Sequence, residues 1–235
     1  VFSGNYSAPG NDKIIKLDLA GTATGTLSGD IDTRGFNFES FKMDVGAADT
    51  LTLSGNIYNG AGGGAGITKI GDGTLILSGT NTYNGSTVVN AGTLNANSTN
   101  ALGSNNTVQV NGGTLLVTAD DAINGKNITL NTNGVGLRFS GNYSGAIGSL
   151  TLSANSIIDM GPGSVQILLQ GLSLSSHTLS FYNWTGSTLW NGGTGADTDK
   201  VFLFPTIEPG DLNKISFYSG NGGDSFLGTG FDIGL

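Results

Sequence analysis

A short motif, Leu-Ser-Gly, recurs at a nearly constant interval in the first third of the chain. It begins at Leu27, Leu53 and Leu77, about 25 residues apart. A second motif, Gly-Thr-Leu, recurs at intervals near 20 residues and begins at Gly73, Gly92 and Gly113. Internal periods of about 20–30 residues are typical of solenoids, in which each repeat forms one coil.

Apolar and polar residues alternate between these motifs, which predicts short strands. The clearest examples are Thr74–Leu77, Thr87–Val89, Thr107–Val110 and Ile128–Leu130. Asn-Gly pairs separate the strands and begin at Asn59, Asn84, Asn111, Asn124 and Asn133. Asn-Gly is the preferred hairpin pair, but it also suits any corner that requires positive φ, so an antiparallel meander stays open. The repeat length favours a parallel β-helix.

The composition supports an ordered all-β protein. The chain has 41 glycines among 235 residues, and only 11% of its residues are charged, against about 25% in typical soluble domains. Glycine and short polar residues disfavour helix interiors. Four prolines without a three-residue glycine period exclude collagen. Recurring apolar clusters and low charge argue against disorder.

The charge and cysteine content exclude several classes of partner. The net charge is −8, and the nine Lys and Arg residues are scattered singly, so we expect neither nucleic-acid binding nor a polybasic membrane patch. No apolar run approaches the roughly 20 residues of a membrane-spanning helix. The chain has no cysteine, so the sheets must provide its stability without disulfides.

The sequence changes in character near His177, where aromatic residues become frequent. Solenoids need an atypical terminal unit to cover the open end of the core. We therefore predict solenoid repeats in residues 1–175 and an aromatic-rich β capping unit in residues 176–235. One continuous domain, or a second small β domain, is the alternative.

The run from Ile67 to Leu94 has a specific order of motifs: Gly-Thr-Leu, Ser-Gly, Asn-Thr-Tyr and a second Gly-Thr-Leu, followed by Ala101-Leu102-Gly103. This order resembles the autotransporter-associated β-strand repeat, also called the passenger-associated transport repeat. The resemblance covers roughly a fifth of the chain closely. It implies an extracellular parallel β-helix on, or released from, the surface of a Gram-negative bacterium, either as part of a passenger or as a freestanding protein. The repeat carries no catalytic residues, so the resemblance implies a scaffold.

Candidates for catalysis are few. Polysaccharide-degrading β-helices need paired carboxylates, and Asp120-Asp121 is the only adjacent pair. We interpret this pair as a turn because a corner sequence follows it. The single histidine, His177, lacks neighbouring ligands or triad partners in sequence, and we interpret it as a partly exposed strand residue. The sequence therefore predicts a protein that is not an enzyme.

One loop fits part of a calcium-binding repeat. Residues 192–199 match most of the Gly-Gly-x-Gly-x-Asp pattern, and carboxylate and carbonyl oxygens suit Ca²⁺. The candidate ligands are Asp197, Asp199 and Asp224. Because the pattern occurs once rather than in tandem, a plain glycine loop is the favoured interpretation, and no other cofactor is expected.

Exposed aromatic residues could stack on sugar rings. Trp184 and Trp190 are the candidates for such a glycan platform. The competing interpretation, which we favour, places these residues in the core of the capping unit.

The sequence leaves two main functional hypotheses. In the first, the chain is a self-assembling subunit of an extracellular filament or layer. Its copies would join through end stacking or exchanged terminal strands. The residues proposed for assembly are Val1, Phe2, Tyr6, Phe231, Ile233 and Leu235. In the alternative, the chain is an adhesin of the autotransporter-passenger type that binds glycans or host and abiotic surfaces.

Overall fold

A computed structural model describes residues 14–17, 22–33, 41–59, 64–185, 199–203, 211–219 and 226–229. Its strands are, in chain order, β1 (Ile14–Leu17), β2 (Thr24–Leu27), β3 (Ile31–Asp32), β4 (Phe41–Val45), β5 (Thr50–Leu53), β6 (Ile57–Tyr58), β7 (Ile67–Ile70), β8 (Thr74–Leu77), β9 (Thr87–Val89), β10 (Thr93–Ala96), β11 (Thr107–Val110), β12 (Thr114–Val117), β13 (Asn127–Leu130), β14 (Val135–Phe139), β15 (Tyr143–Leu152), β16 (Ser156–Asp159), β17 (Val165–Ser173), β18 (Leu179–Tyr182), β19 (Lys200–Leu203), β20 (Ile215–Tyr218) and β21 (Phe226–Thr229). One 3₁₀ turn, Leu212–Lys214, precedes β20. No helix in these ranges is long and apolar enough to span a membrane.

The strands form two long parallel sheets in which each coil contributes one strand to each sheet. The nine-strand sheet has the order β1-β4-β7-β9-β11-β13-β15-β17-β19. The ten-strand sheet has the order β2-β5-β8-β10-β12-β14-β16-β18-β20-β21. The short β3–β6 pair adds a third parallel ladder in the early coils. The fold is therefore an all-β parallel solenoid, as predicted, and the antiparallel meander is excluded.

Inward-facing side chains stack from coil to coil because successive strands pair in register. In the ten-strand sheet, Leu51, Leu75, Leu94 and Leu115 occupy equivalent positions, and all four are buried. Each coil therefore buries only a few apolar side chains of its own. Contacts with the coils above and below complete the core, as expected for a solenoid.

The Leu-Ser-Gly motif lies at a corner where neighbouring coils approach closely. Gly29, Gly55 and Gly79 follow β2, β5 and β8 respectively. A Cβ atom added at Gly79 would lie 2.1 Å from the Gly55 carbonyl oxygen, and one at Gly55 would lie 2.2 Å from that of Gly29. The backbone spacing therefore leaves no room for a side chain at Gly55 or Gly79, which explains the glycine of the motif in these successive coils.

Parallel stacking continues beyond the predicted boundary at residue 176. Strand β18 pairs in parallel with β16, and β20 pairs in parallel with β18. Strand β21 then pairs antiparallel with β20. The change in pairing direction thus comes at β21, and the division into residues 1–175 and 176–235 remains a prediction.

Candidate functional site

The outer face of the nine-strand sheet is widest at β15 and β17, which have ten and nine residues. Their register places Ala146 beside Leu168 and Ser144 beside Gln166. Leu168 has 38% of its surface exposed and is the one large hydrophobic residue classed as exposed within the described ranges. This outer face of β15 and β17 is a broad, weakly charged surface with one prominent apolar side chain.

The ten-strand sheet presents a straight column of outward-facing side chains. Thr26, Thr52, Ile76, Asn95 and Leu116 are paired one after another along this column. The column continues to Arg138, whose Nε donates a hydrogen bond to Asp159 Oδ2 at 2.8 Å. This face carries mixed side chains.

Asx side chains connect the corners of successive coils. Asp30 Oδ1 accepts a hydrogen bond from the Asn56 N–H at 2.8 Å, and Asn56 Oδ1 accepts one from the Thr80 N–H at 2.9 Å. The same arrangement recurs later, where Asn155 Oδ1 accepts from the Thr178 N–H at 2.9 Å. These bonds satisfy backbone donors that have left the strand ladders, so the abundant asparagine has a structural role.

A lysine lies inside the core. Lys69 occupies the same inward position as Met43 and Val89 and is fully buried. Its Nζ donates hydrogen bonds to the carbonyl oxygens of Ile70 at 2.8 Å, Gly71 at 2.6 Å and Ala91 at 3.3 Å.

Burial lowers the pKa of Lys69 to about 8, although the nearby carboxylates of Asp44 and Asp72 act in the opposite direction. Lys126 has a similar role, since its Nζ donates hydrogen bonds at 2.7 Å to the carbonyl oxygens of Gly103 and Asn105. Desolvation also lowers the pKa of Lys126. Sequence reasoning missed both lysines because an isolated cation normally indicates an exposed position.

The Asp120–Asp121 pair lies in a turn, as predicted. Asp121 has a φ of 59°, and Asp120 Oδ1 accepts a hydrogen bond from the Ser144 N–H at 2.9 Å. The nearby Tyr143 side chain is buried, and its hydroxyl makes no hydrogen bond to any residue that the structure describes. Burial and the two aspartates raise the pKa of Tyr143. His177 is half-buried and lies in the turn before β18 rather than in a strand.

Of the candidate calcium ligands, only Asp199 falls within the described residues. The Asp199 carboxylate is buried and accepts three hydrogen bonds, from the Val165 N–H at 2.9 Å and from the N–H and hydroxyl of Thr185, both at 2.8 Å. Asp197 and Asp224 lie outside the described residues. Within the described ranges, no group of three or more His, Cys, Asp or Glu side chains is placed to hold a metal. Calcium binding stays a prediction.

Trp184 belongs to an aromatic cluster in the last coils. Its side chain is 6% exposed, and its ring centroid lies 4.7 Å from that of Phe217 and 5.9 Å from that of Phe181. This placement favours a packing role for Trp184 over a glycan platform. Trp190 lies outside the described residues. So do the residues proposed for assembly: Val1, Phe2, Tyr6, Phe231, Ile233 and Leu235.

Two comparisons agree with the architecture described above. The family model described as "Passenger-associated-transport-repeat" matches residues 67–96. The chain is also 38% identical over 228 residues to the protein described as "Adhesin BmaC autotransporter" from Brucella suis biovar 1 (strain 1330). The chain is an autotransporter-associated repeat protein. No solved structure matches it.

This autotransporter-associated repeat protein has a surface-exposed or extracellular location in a Gram-negative bacterium, as the resemblance implied. The alignment with the adhesin covers 91% of the present chain but only 6% of the adhesin. The chain therefore spans about 6% of the length of the curated relative it matches. The matched repeat, residues 67–96, comprises β7 to β10, which together form two adjacent coils.

Proposed function

We propose that the chain is a non-catalytic segment of an adhesin passenger, in which the stacked coils form a stiff scaffold that presents a binding face. The main support is the parallel register, which continues from β1 to β20 through the described strands. The similarity to an autotransporter adhesin supports the same function. A scaffold of this kind holds outward side chains on a regular surface without requiring a pocket.

The outer face of β15 and β17 is the proposed binding face. Removing exposed apolar surface from water favours association, and Leu168 is the exposed large apolar residue on this face. The neighbouring Ser144, Ala146 and Gln166 carry no charge, so their desolvation costs less than that of charged side chains. Such a face is better suited to bind glycans, host surfaces or abiotic surfaces than to bind a highly charged ligand.

Adhesion of protein-coated beads to cultured cells, matrix proteins and glycan arrays tests this proposal. We expect beads that carry the native chain to bind at least one of these surfaces, and beads that carry Leu168→Gln to bind less. Leu116→Gln is the matched control, because Leu116 lies on the outer face of the other sheet and is only partly exposed. The proposal fails if native beads bind no more than uncoated ones. Equal loss with both variants would overturn the assignment to this face.

Self-assembly through the chain termini remains a separate hypothesis. It predicts concentration-dependent growth in light scattering and long uniform filaments in negative-stain electron microscopy. The adhesin proposal predicts a constant particle mass across the same concentration range. The two measurements therefore separate a polymer subunit from a monomeric binding segment.

A further inference from the structure

Asparagine followed by glycine is prone to deamidation, because the small glycine leaves its backbone nitrogen free to attack the asparagine side chain. Hydroxide removes the glycine amide proton, and the nitrogen forms a bond to the asparagine Cγ. The Cγ–Nδ2 bond breaks, and Nδ2 leaves as ammonia after taking a proton from water. Water then opens the succinimide ring at either carbonyl to give aspartate or isoaspartate. The reaction needs a carboxamide that can rotate towards the next nitrogen.

Two of the Asn-Gly corners hold the carboxamide in place. Asn84 Oδ1 accepts a hydrogen bond from Asn59 Nδ2 at 2.5 Å. Asn111 Nδ2 donates a hydrogen bond to Asn90 Oδ1 at 3.0 Å. In both cases the partner belongs to the preceding coil, so ring closure at Asn84 or Asn111 requires a coil-to-coil bond to break first.

A third corner restrains both reacting groups. Asn124 Oδ1 accepts a hydrogen bond from the Ala146 N–H at 3.2 Å. The attacking nitrogen, that of Gly125, donates to the Ala146 carbonyl at 2.8 Å. Neither group is free to move towards the other while the next coil is in place. Asn59 also precedes a glycine, but Gly60 lies outside the described residues.

The corner between β13 and β14 differs from these three. Asn133 is exposed, and within the described residues its side chain makes no hydrogen bond, nor does the Gly134 N–H. A Cβ atom added at Gly134 would meet nothing within 4 Å. The same holds at Gly125, so what distinguishes the Asn133 corner is that, within the described residues, neither reacting group is held by a hydrogen bond.

We propose that Asn133–Gly134 is a site of spontaneous deamidation in the folded protein, and that the solenoid protects Asn84, Asn111 and Asn124. Each event adds a negative charge at an exposed corner. Isoaspartate also lengthens the backbone directly before β14, where the register with β16 already shifts between Val135 and Leu137. Aspartate and isoaspartate therefore accumulate at residue 133 as the protein ages.

Tryptic peptide mapping tests this proposal in a single sample, since lysines and an arginine separate the two classes of site. Cleavage after Lys126 and Arg138 releases residues 127–138, in which Asn133 is the only asparagine before glycine. Cleavage after Lys69 and Lys126 releases residues 70–126, which contain the three protected sites. After incubation of the folded chain at mildly alkaline pH, we expect Asn133 to deamidate about five-fold faster or more than each protected site. That factor corresponds to the net strength of one hydrogen bond.

Two controls separate structure from local sequence. In urea-unfolded protein, the rates at the four sites should converge, because every carboxamide is then free. In folded Asn133→Gln, the 127–138 peptide should lose its rapid reaction, while the 70–126 peptide is unchanged. The proposal is overturned if Asn133 reacts no faster than the protected sites in the folded chain. It is equally overturned if the excess at Asn133 persists undiminished in urea.

Discussion

At the scale of single residues, most buried polar side chains of the described structure have hydrogen-bond partners, and a few do not. Tyr83 and Tyr143 are both buried, but among the described residues only the Tyr83 hydroxyl has a hydrogen-bond partner, Thr87 Oγ1 at 2.7 Å. Removing one member of a hydrogen-bonded pair is costly, whereas removing a polar atom that has no partner is neutral or stabilising. Tyr→Phe substitutions at these two positions therefore compare the loss of a bonded hydroxyl with the loss of an unbonded one.

We expect Tyr83→Phe to reduce the free energy of unfolding by about 1 kcal/mol. We expect Tyr143→Phe to leave the free energy of unfolding unchanged or to raise it slightly, because its hydroxyl makes no hydrogen bond. Urea denaturation of both variants measures the difference. A larger loss in Tyr143→Phe than in Tyr83→Phe would contradict this assignment.

Lys69 predicts a specific pH dependence. Its pKa falls from 10.5 to about 8 on folding, so between these values the unfolded chain binds more protons than the folded chain. The contribution of Lys69 to stability is therefore constant below pH 8 and rises with pH from about 8 to 10.5, by about 3 kcal/mol in total.

The variant Lys69→Met isolates this effect, because Met43 already fills the equivalent inward position of the previous coil. The difference in unfolding free energy between the native chain and Lys69→Met should rise across that pH range. Contributions from tyrosines cancel in the difference. A flat difference would show that Lys69 titrates at its ordinary pKa in the folded chain.

At the scale of the element, the corners control how closely two coils can approach. The Leu-Ser-Gly corner brings Gly79 against the Gly55 carbonyl, whereas the corner at Gly134 is open. Overpacking against a backbone that cannot move is destabilising. The repeated glycine is therefore a spacing requirement rather than a flexible point.

We expect Gly79→Ala to lower the free energy of unfolding by about 2 kcal/mol or more. Gly134→Ala serves as the control, with a change within about 1 kcal/mol in either direction. Thermal or urea unfolding measures both variants. Equal effects would show that the close approach at Gly79 relaxes without cost.

Asp199 connects two elements through its buried carboxylate, which bonds to β17 at Val165 and to Thr185. We expect Asp199→Ala to destabilise the chain by about 3 kcal/mol because it leaves buried donors unpaired. If Asp199 is purely structural, EDTA and added Ca²⁺ should leave the melting temperature of the native chain unchanged. A rise in melting temperature with Ca²⁺, lost on EDTA addition, would instead support the calcium hypothesis.

At the scale of the whole molecule, sequence reasoning predicted the fold because one signal repeats in three successive coils, at β8, β10 and β12. In each of these strands, partly exposed and buried residues alternate after the glycine, and the leucine of Gly-Thr-Leu (Leu75, Leu94 and Leu115) points inward. The repeat period and the alternation within each strand therefore predict the same inward positions. Lys69 could not be placed in this way, because the three backbone carbonyls around its Nζ and the nearby carboxylates of Asp44 and Asp72, which all favour the ammonium, are brought together only by the fold. Asp199 was a candidate calcium ligand in the sequence, and its hydrogen bond with Val165 could not be foreseen because the two residues lie 34 positions apart.

The central claim is that the coils stack in one continuous parallel register. The chain has no cysteine, so pairs of spin labels can be introduced into one outward column without background. Thr26 is paired with Leu116 through four coil steps and with Tyr182 through seven. Because neighbouring strands lie about 4.8 Å apart, the Cα separations should be about 19 and 34 Å.

Electron–electron double resonance on labelled Thr26→Cys/Leu116→Cys and Thr26→Cys/Tyr182→Cys chains measures these separations directly. We predict two narrow distance distributions whose means differ by about 14 Å, three strand spacings. Similar distances for both pairs, or a broad distribution for the longer pair, would contradict a continuous solenoid.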